Sequence, residues 1–118
     1  MIAIPVKDTG DNPEVDERFG RCAFFCIIDD KGTKTFIENS AKDLSSGAGG
    51  QAVSILANND VDVIIAPHIG PKSMTPILEL GIKVFSVGNA KTVSEALEGL
   101  KLNILKAVGE EKPGLRRV

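Results

Sequence analysis

Residues 22–29, CAFFCIID, are apolar at every position from Cys22 to Ile28. In an extended chain Phe24, Cys26 and Ile28 face one side and Ala23, Phe25 and Ile27 the other, because successive strand side chains alternate. A strand apolar on both faces reads as one that is covered on both sides, which calls for a sheet packed between two layers.

The other segments supply such a sheet. Ile2, Ile4 and Val6 alternate with Ala3 and Pro5 and predict a first strand. Proline cannot donate to a ladder, so Pro5 must sit near the strand end or at a bulge if the strand is central. Residues 8–18 are polar, contain Gly10, Asn12 and Pro13, and read as a loop. After residues 22–29, the turn residues Asp30, Lys31 and Gly32 lead into the strand-forming residues 33–38, predicting a hairpin. The glycine-rich stretch 39–50 precedes an amphipathic helix over residues 51–59, and the β-branched run 61–67 reads as the next strand. His68, Ile69 and Gly70 connect it to a short helix, with Ser73 as N-cap and Pro76 in the first turn, ending at Gly81. Residues 82–87 form another alternating strand, and Thr92 three residues before Glu95 signals the capped start of a last helix through Leu100. The fold class is therefore α/β: a five-stranded mixed sheet, beginning with three antiparallel strands and continuing αβαβα through right-handed crossovers.

A chain of 118 residues makes one domain, assigned to residues 1–109, and residues 110–118, with Pro113 and Gly114, read as a flexible tail. With 42% apolar and 25% charged residues, neither disorder nor coiled coil is expected, and the core needs no metal or disulfide staple. The net charge is −2, and basic residues are scattered apart from Arg116 and Arg117, so no nucleic-acid surface is expected. The longest apolar run, residues 63–67, is far short of the roughly 20 residues that span a bilayer, and the first residues do not resemble a secretion signal. The expected location is cytoplasmic, where Cys22 and Cys26 stay reduced.

The two cysteines can be tested by geometry. In a regular strand they share a face but stand about 13 Å apart, too far for one metal ion, and a disulfide needs α-carbons within about 7 Å. Only a distortion at Cys22 changes this. Cys26, between aromatic and aliphatic neighbours, reads as a small buried hydrophobe. Cys22 follows Gly20 and Arg21 at the loop end of the strand, where partial exposure and a nearby cation favour thiolate, so it is a candidate metal ligand. His68, the one histidine, stands at the carboxyl end of a buried strand, where ligands of α/β sheets gather, and is a second candidate; the alternative is a loop histidine without a role. The glycine-rich residues 47–50 and the stretch from Gly70 through Lys72 to Ser73 each open a helix whose free amides could hold an anion; the alternative at residues 47–50 is an ordinary helix entry. No nucleotide-binding P-loop spacing is present, and paired carboxylates at residues 29–30, 60 and 62, and 110–111 read as solvated loop charge. A Ser-His-Asp arrangement finds no support, two-metal nuclease chemistry lacks its strand carboxylates, and structural zinc lacks ligands.

RFGRC-x-FF-x-I-x-D at 18–29, GPKS at 70–73 and VSEALEGL at 93–100, in that order and separation, resemble the dinitrogenase iron-molybdenum cofactor biosynthesis family over roughly residues 1–105. The resemblance implies a ribonuclease-H-like fold in which the hairpin strands flank the first strand and the last two run parallel to it. It also implies a small non-enzymatic protein that binds an iron-sulfur or iron-molybdenum type cluster and passes it between donor and acceptor metalloproteins. Members commonly carry histidine before the Phe-Gly pair, where this chain has Arg18. Protonated arginine has no lone pair to offer a metal, though it attracts an anionic cluster. Cys22 then leads as ligand, with His68 second on chemical grounds alone, while Arg18, Arg21, Lys72 and backbone amides near Gly70 balance the cluster's charge. Monomer is the default state. The alternative function is a ligand-binding or regulatory module that has lost the cluster.

Overall fold

A computed structural model of the protein describes residues 1–108; the tail assigned to residues 110–118 lies outside the described residues. The strands are β1 (Ile2–Val6), β2 (Phe24–Ile28), β3 (Lys34–Glu38), β4 (Val63–Ala66), β5 (Lys83–Ser86) and β6 (Lys106–Val108). The helices are α1 (Ala48–Asn58), α2 (Pro71–Glu79) and α3 (Val93–Lys101). One mixed sheet has the order β3-β2-β1-β4-β5-β6. The β1–β4 and β4–β5 pairs are parallel, and the hairpin β2–β3 and the β1–β2 and β5–β6 pairs are antiparallel.

Among the described residues the expected five strands are thus six. β6 is three residues long, too short to show period-2 patterning, and is reached after Asn103 turns the chain at φ 61°. It pairs Val84 with Val108 and closes the β5 edge.

Both sheet faces are covered. On one, Ala3, Phe25, Ile27, Ile64 and Val84 pack against Ala52, Val53 and Leu56 of α1 and Ile77 of α2. On the other, Ile4, Cys26, Ile28 and Ile65 pack against Val93 and Ala96 of α3. The doubly apolar β2 is central to this arrangement, because its two parities feed the two cores.

Local chemistry explains the element limits. The Pro5 oxygen accepts from Asp16 N at 2.9 Å, whereas the parallel β1–β4 register holds only Ile2 and Ala3. Pro5 therefore faces the edge after that pairing has ended, and its missing donor orphans nothing. Thr92 Oγ1 accepts from Glu95 N at 3.3 Å, and Glu95 Oε1 reaches back to Lys91 N at 2.7 Å, so α3 starts as its sequence predicts. The expected N-cap Ser73 is corrected. Gly70 caps α2, Pro71 occupies its first position, and Pro76 lies inside the helix rather than in its first turn. α1 likewise begins before residue 51, taking Gly49 and Gly50 into the helix after Gly47 turns at φ 76°. That φ is costly for any residue with a Cβ.

Candidate functional site

Three separated stretches meet at one end of α1 and α2. Gly20 and Arg21 precede β2, residues 45–50 lead into α1, and residues 70–73 open α2; together they line a cleft of about 500 Å³. The approach is close because side chains are missing. A Cβ on Gly20 would stand 3.1 Å from the Gly49 Cα, and a Cβ on Gly49 would collide with the Ser73 hydroxyl.

The described lining of the cleft is electropositive. Among the described residues, Arg21 and Lys72 are its two charged lining residues and no carboxylate lines it. Neither helix has an acidic residue in its first turn or a side-chain cap on its N-terminal amides. Each helix end carries the equivalent of about half a positive charge, and here two such ends point into one space. A second cleft of about 510 Å³ lies past the ends of β1, β4 and β5, but it mixes Lys7 and Lys91 with Glu14 and Glu17. Lys7 is already paired with Glu14 at 3.1 Å, so that cleft has no net preference for an anion.

The predicted site residues divide. Arg21, Gly70 and Lys72 line the first cleft. Arg21 is exposed and braced, its Nη1 donating to the Lys42 oxygen at 2.8 Å. Arg18 does not line it. Its Nε and Nη2 donate to both oxygens of the Asp16 carboxylate at 3.1 and 3.0 Å. Asp16 is buried, which by itself would raise its pKa, but the Arg18 hydrogen bonds and charge prevail and hold the carboxyl below its ordinary value.

Cys22 departs from expectation. It is fully buried, not partly exposed, and burial, reinforced by the nearby Asp16 charge, pushes its thiol up to about 12. A thiolate at this position is disfavoured. The residue also lies outside regular strand, since β2 starts at Phe24, and this is the distortion that moves it off the Cys26 face. Cys22 joins the core beneath α1 and α2, while Cys26, buried as expected, joins the opposite core. His68 is exposed and borders a separate cavity of about 130 Å³ with Ile69, Met74 and Ser86. Among the described residues no three His, Cys, Asp or Glu side chains gather to ligate a metal.

Two buried polar residues escaped sequence reading. Asn39 Nδ2 donates to the carbonyls of Gly20 and Cys22 at 3.1 and 3.0 Å, and its Oδ1 accepts from Ala41 N at 3.1 Å. Asp16 orders Arg18 as described. Neither type carries a local signature of burial, because asparagine and aspartate in polar loops are ordinarily solvated. Ser73 and the glycines of residues 47–50 did carry one, as helix starts, though only the fold puts them face to face.

A family model described as "Dinitrogenase iron-molybdenum cofactor" matches residues 1–103. An uncharacterized protein of Methanocaldococcus jannaschii is 34% identical over 101 residues, covering 82% of this chain and 81% of its own. Among solved structures, the apo form of the orange protein from Desulfovibrio gigas superposes with a TM-score of 0.86 at 29% identity, covering 92% of each chain. A Thermotoga protein provisionally described as NifB superposes with a TM-score of 0.78 at 28% identity, covering 90% of each chain.

Proposed function

The chain belongs to the dinitrogenase iron-molybdenum cofactor family, and from that premise we propose that it is a small non-catalytic carrier of an anionic iron-sulfur or iron-molybdenum type cluster. The observation that carries this reading is the convergence of two uncapped helix starts with Arg21 and Lys72 on a cleft that no carboxylate lines among the described residues. Such a cleft holds a polyanion through amide dipoles and side-chain cations, without a bond to the metal. Cargo held this way is released when a receiving protein offers better ligands, so the proposed partners are a donor and an acceptor metalloprotein. In this reading Cys22 is a wall beneath the site and His68 a neighbour of it, and the thiolate–imidazole ligand set gives way to electrostatic holding. The proposed setting is the cytoplasm; among the described residues no helix is long and apolar enough to cross a membrane. The order β3-β2-β1-β4-β5 supports reading the fold as ribonuclease-H-like with β6 added at one edge.

A second reading, a ligand-binding module that has lost the cluster, draws on Arg18, which stands where family members commonly have histidine and is already committed to Asp16. Anaerobic reconstitution with iron and sulfide separates the two. The parent should bind iron with charge-transfer absorbance, and Arg21→Gln with Lys72→Gln should weaken retention roughly a hundredfold or more, since each charge-assisted contact contributes about 1.5–3 kcal/mol. Cys22→Ser and His68→Ala should retain it. Loss of iron in either of those, with the fold intact, would restore direct ligation. A parent that binds neither this cluster nor isolated molybdenum-containing cofactor leaves the second reading.

A further inference from the structure

We propose that the floor of the cleft is a subsite for a small tetrahedral oxyanion of the phosphate class, with the Ser73 hydroxyl and the free amides of α1 as donors. The inference rests on the carrier reading only for the choice of cleft; it needs no metal and is testable on the protein without cargo.

Ser73 is the observation that points to a ligand. A serine inside a helix ordinarily returns its hydroxyl to the carbonyl four residues earlier. Ser73 is 6% exposed, yet its hydroxyl takes part in none of the side-chain hydrogen bonds among the described residues. No polar side-chain atom there is sealed from solvent without a partner, so this oxygen opens on the cleft that the residue lines. It stands against Gly49, in the space where a side chain of α1 would otherwise be. A hydroxyl that faces the cleft without a protein partner is free to donate to a ligand acceptor there.

The donors around it share one polarity. The amides of Ala48, Gly49 and Gly50 have no intrahelical acceptor, and Gly47 offers no capping side chain. Lys72 N lies in the first turn of α2 behind Pro71, which has no donor of its own. Donors therefore approach from two helices and one hydroxyl, with Arg21 and Lys72 as countercharge and, among the described residues, no lining carboxylate to repel an anion. A planar carboxylate offers acceptors in one plane only, whereas a tetrahedral oxyanion offers them toward both helices and the hydroxyl at once.

The test is an amide-resolved titration of the metal-free full chain with inorganic phosphate at constant ionic strength. Saturable shifts centred on residues 48–50 and 72–73 are expected. Ser73→Ala should weaken binding about fivefold or more, the equivalent of one lost hydrogen bond, with an unchanged unfolding temperature. Lys72→Gln should weaken it as well, and Lys34→Gln on β3 should leave it unchanged. Shifts that do not saturate or that spread over the surface, an adventitious ion only, would overturn the proposal, as would unchanged affinity in Ser73→Ala. Phosphate binding in a protein that never loads cluster would keep this subsite and remove the carrier reading; cluster loading without phosphate binding would do the reverse.

Discussion

The Asn39 side chain donates to the Cys22 carbonyl oxygen at 3.0 Å, joining two loops that are seventeen residues apart in sequence. The same amide holds Gly20, and the Asn39 backbone N donates to the Ala23 oxygen at 3.0 Å. A fully buried side chain thus fixes the segment that carries Arg21 against the start of the glycine-rich loop. The position of Arg21 in the cleft depends on this amide as well as on its own contact with Lys42.

Asn39→Ala should therefore destabilise the protein by on the order of 3 kcal/mol, because two carbonyls and one amide lose their partner in the core. Asn39→Asp should be worse at neutral pH, since a carboxylate would face two carbonyl oxygens. Burial would raise the folded-state pKa of the introduced acid, so stability should recover as pH falls through that value. Urea unfolding at pH 7 and pH 5 checks the sign; a deficit that grows on acidification would refute it.

Gly49 and Gly50 are adjacent in α1 and should respond oppositely to alanine. Gly50→Ala meets nothing within 4 Å and should stabilise by about 0.5–1 kcal/mol through helix propensity. Gly49→Ala meets the Ser73 hydroxyl and should destabilise by about 1–3 kcal/mol. Combining it with Ser73→Ala should recover part of the loss, and strict additivity in the double-mutant cycle would show that the two residues do not touch.

The Asp16–Arg18 pair should appear in the acid limb of the stability curve. Asp16 has a depressed folded-state pKa, so its contribution is fully present above the ordinary carboxylate value of about 3.9 and is lost as pH falls through the folded value. Arg18→Gln removes the cation and leaves only the Arg18 backbone amide and the Lys7 charge to oppose burial. The parent should be more stable than this variant at pH 7 and pH 5, with the gap closing toward pH 2. A gap of equal size at every pH would assign the loss to packing.

Both thiols should be inert in the native state. Cys22 and Cys26 are fully buried, and burial pushes them up to about 12 and about 11. A disulfide reagent at pH 8 should titrate neither cysteine in the folded chain and both in denaturant. Rapid reaction of Cys22 in the native protein would mean that its loop opens, and would return it to the list of candidate ligands.

What the residues could announce was whatever depends on near neighbours in sequence. The two-sided apolarity of β2, the alternation of β1, the Thr92 cap and the place of Pro5 near a strand end each follow from spacings of a few residues, and each is found. The burial of Cys26 follows from the same pattern. The resemblance in residues 18–29, 70–73 and 93–100 pointed to the family over roughly residues 1–105, and the family match spans residues 1–103.

Other features depend on which distant segments become neighbours. β6 exists because β5 leaves an edge for three residues to pair with. Cys22 is buried because the chain departs from strand before Phe24 and turns it under α1 and α2, so an expected thiolate became a core thiol. Asp16 and Asn39 are buried polar groups whose partners lie in backbone and loops that no pattern in their own vicinity specifies. The sequence by itself determined five of the six described strands, the capped start of α3 and an inventory of cations and free amides. Only the tertiary structure decided that Arg21, Gly49, Lys72 and Ser73 share one cleft while Arg18 and His68 stand outside it, because α1 and α2 cross on one face of the sheet through contacts between residues too far apart in sequence for local propensity to encode.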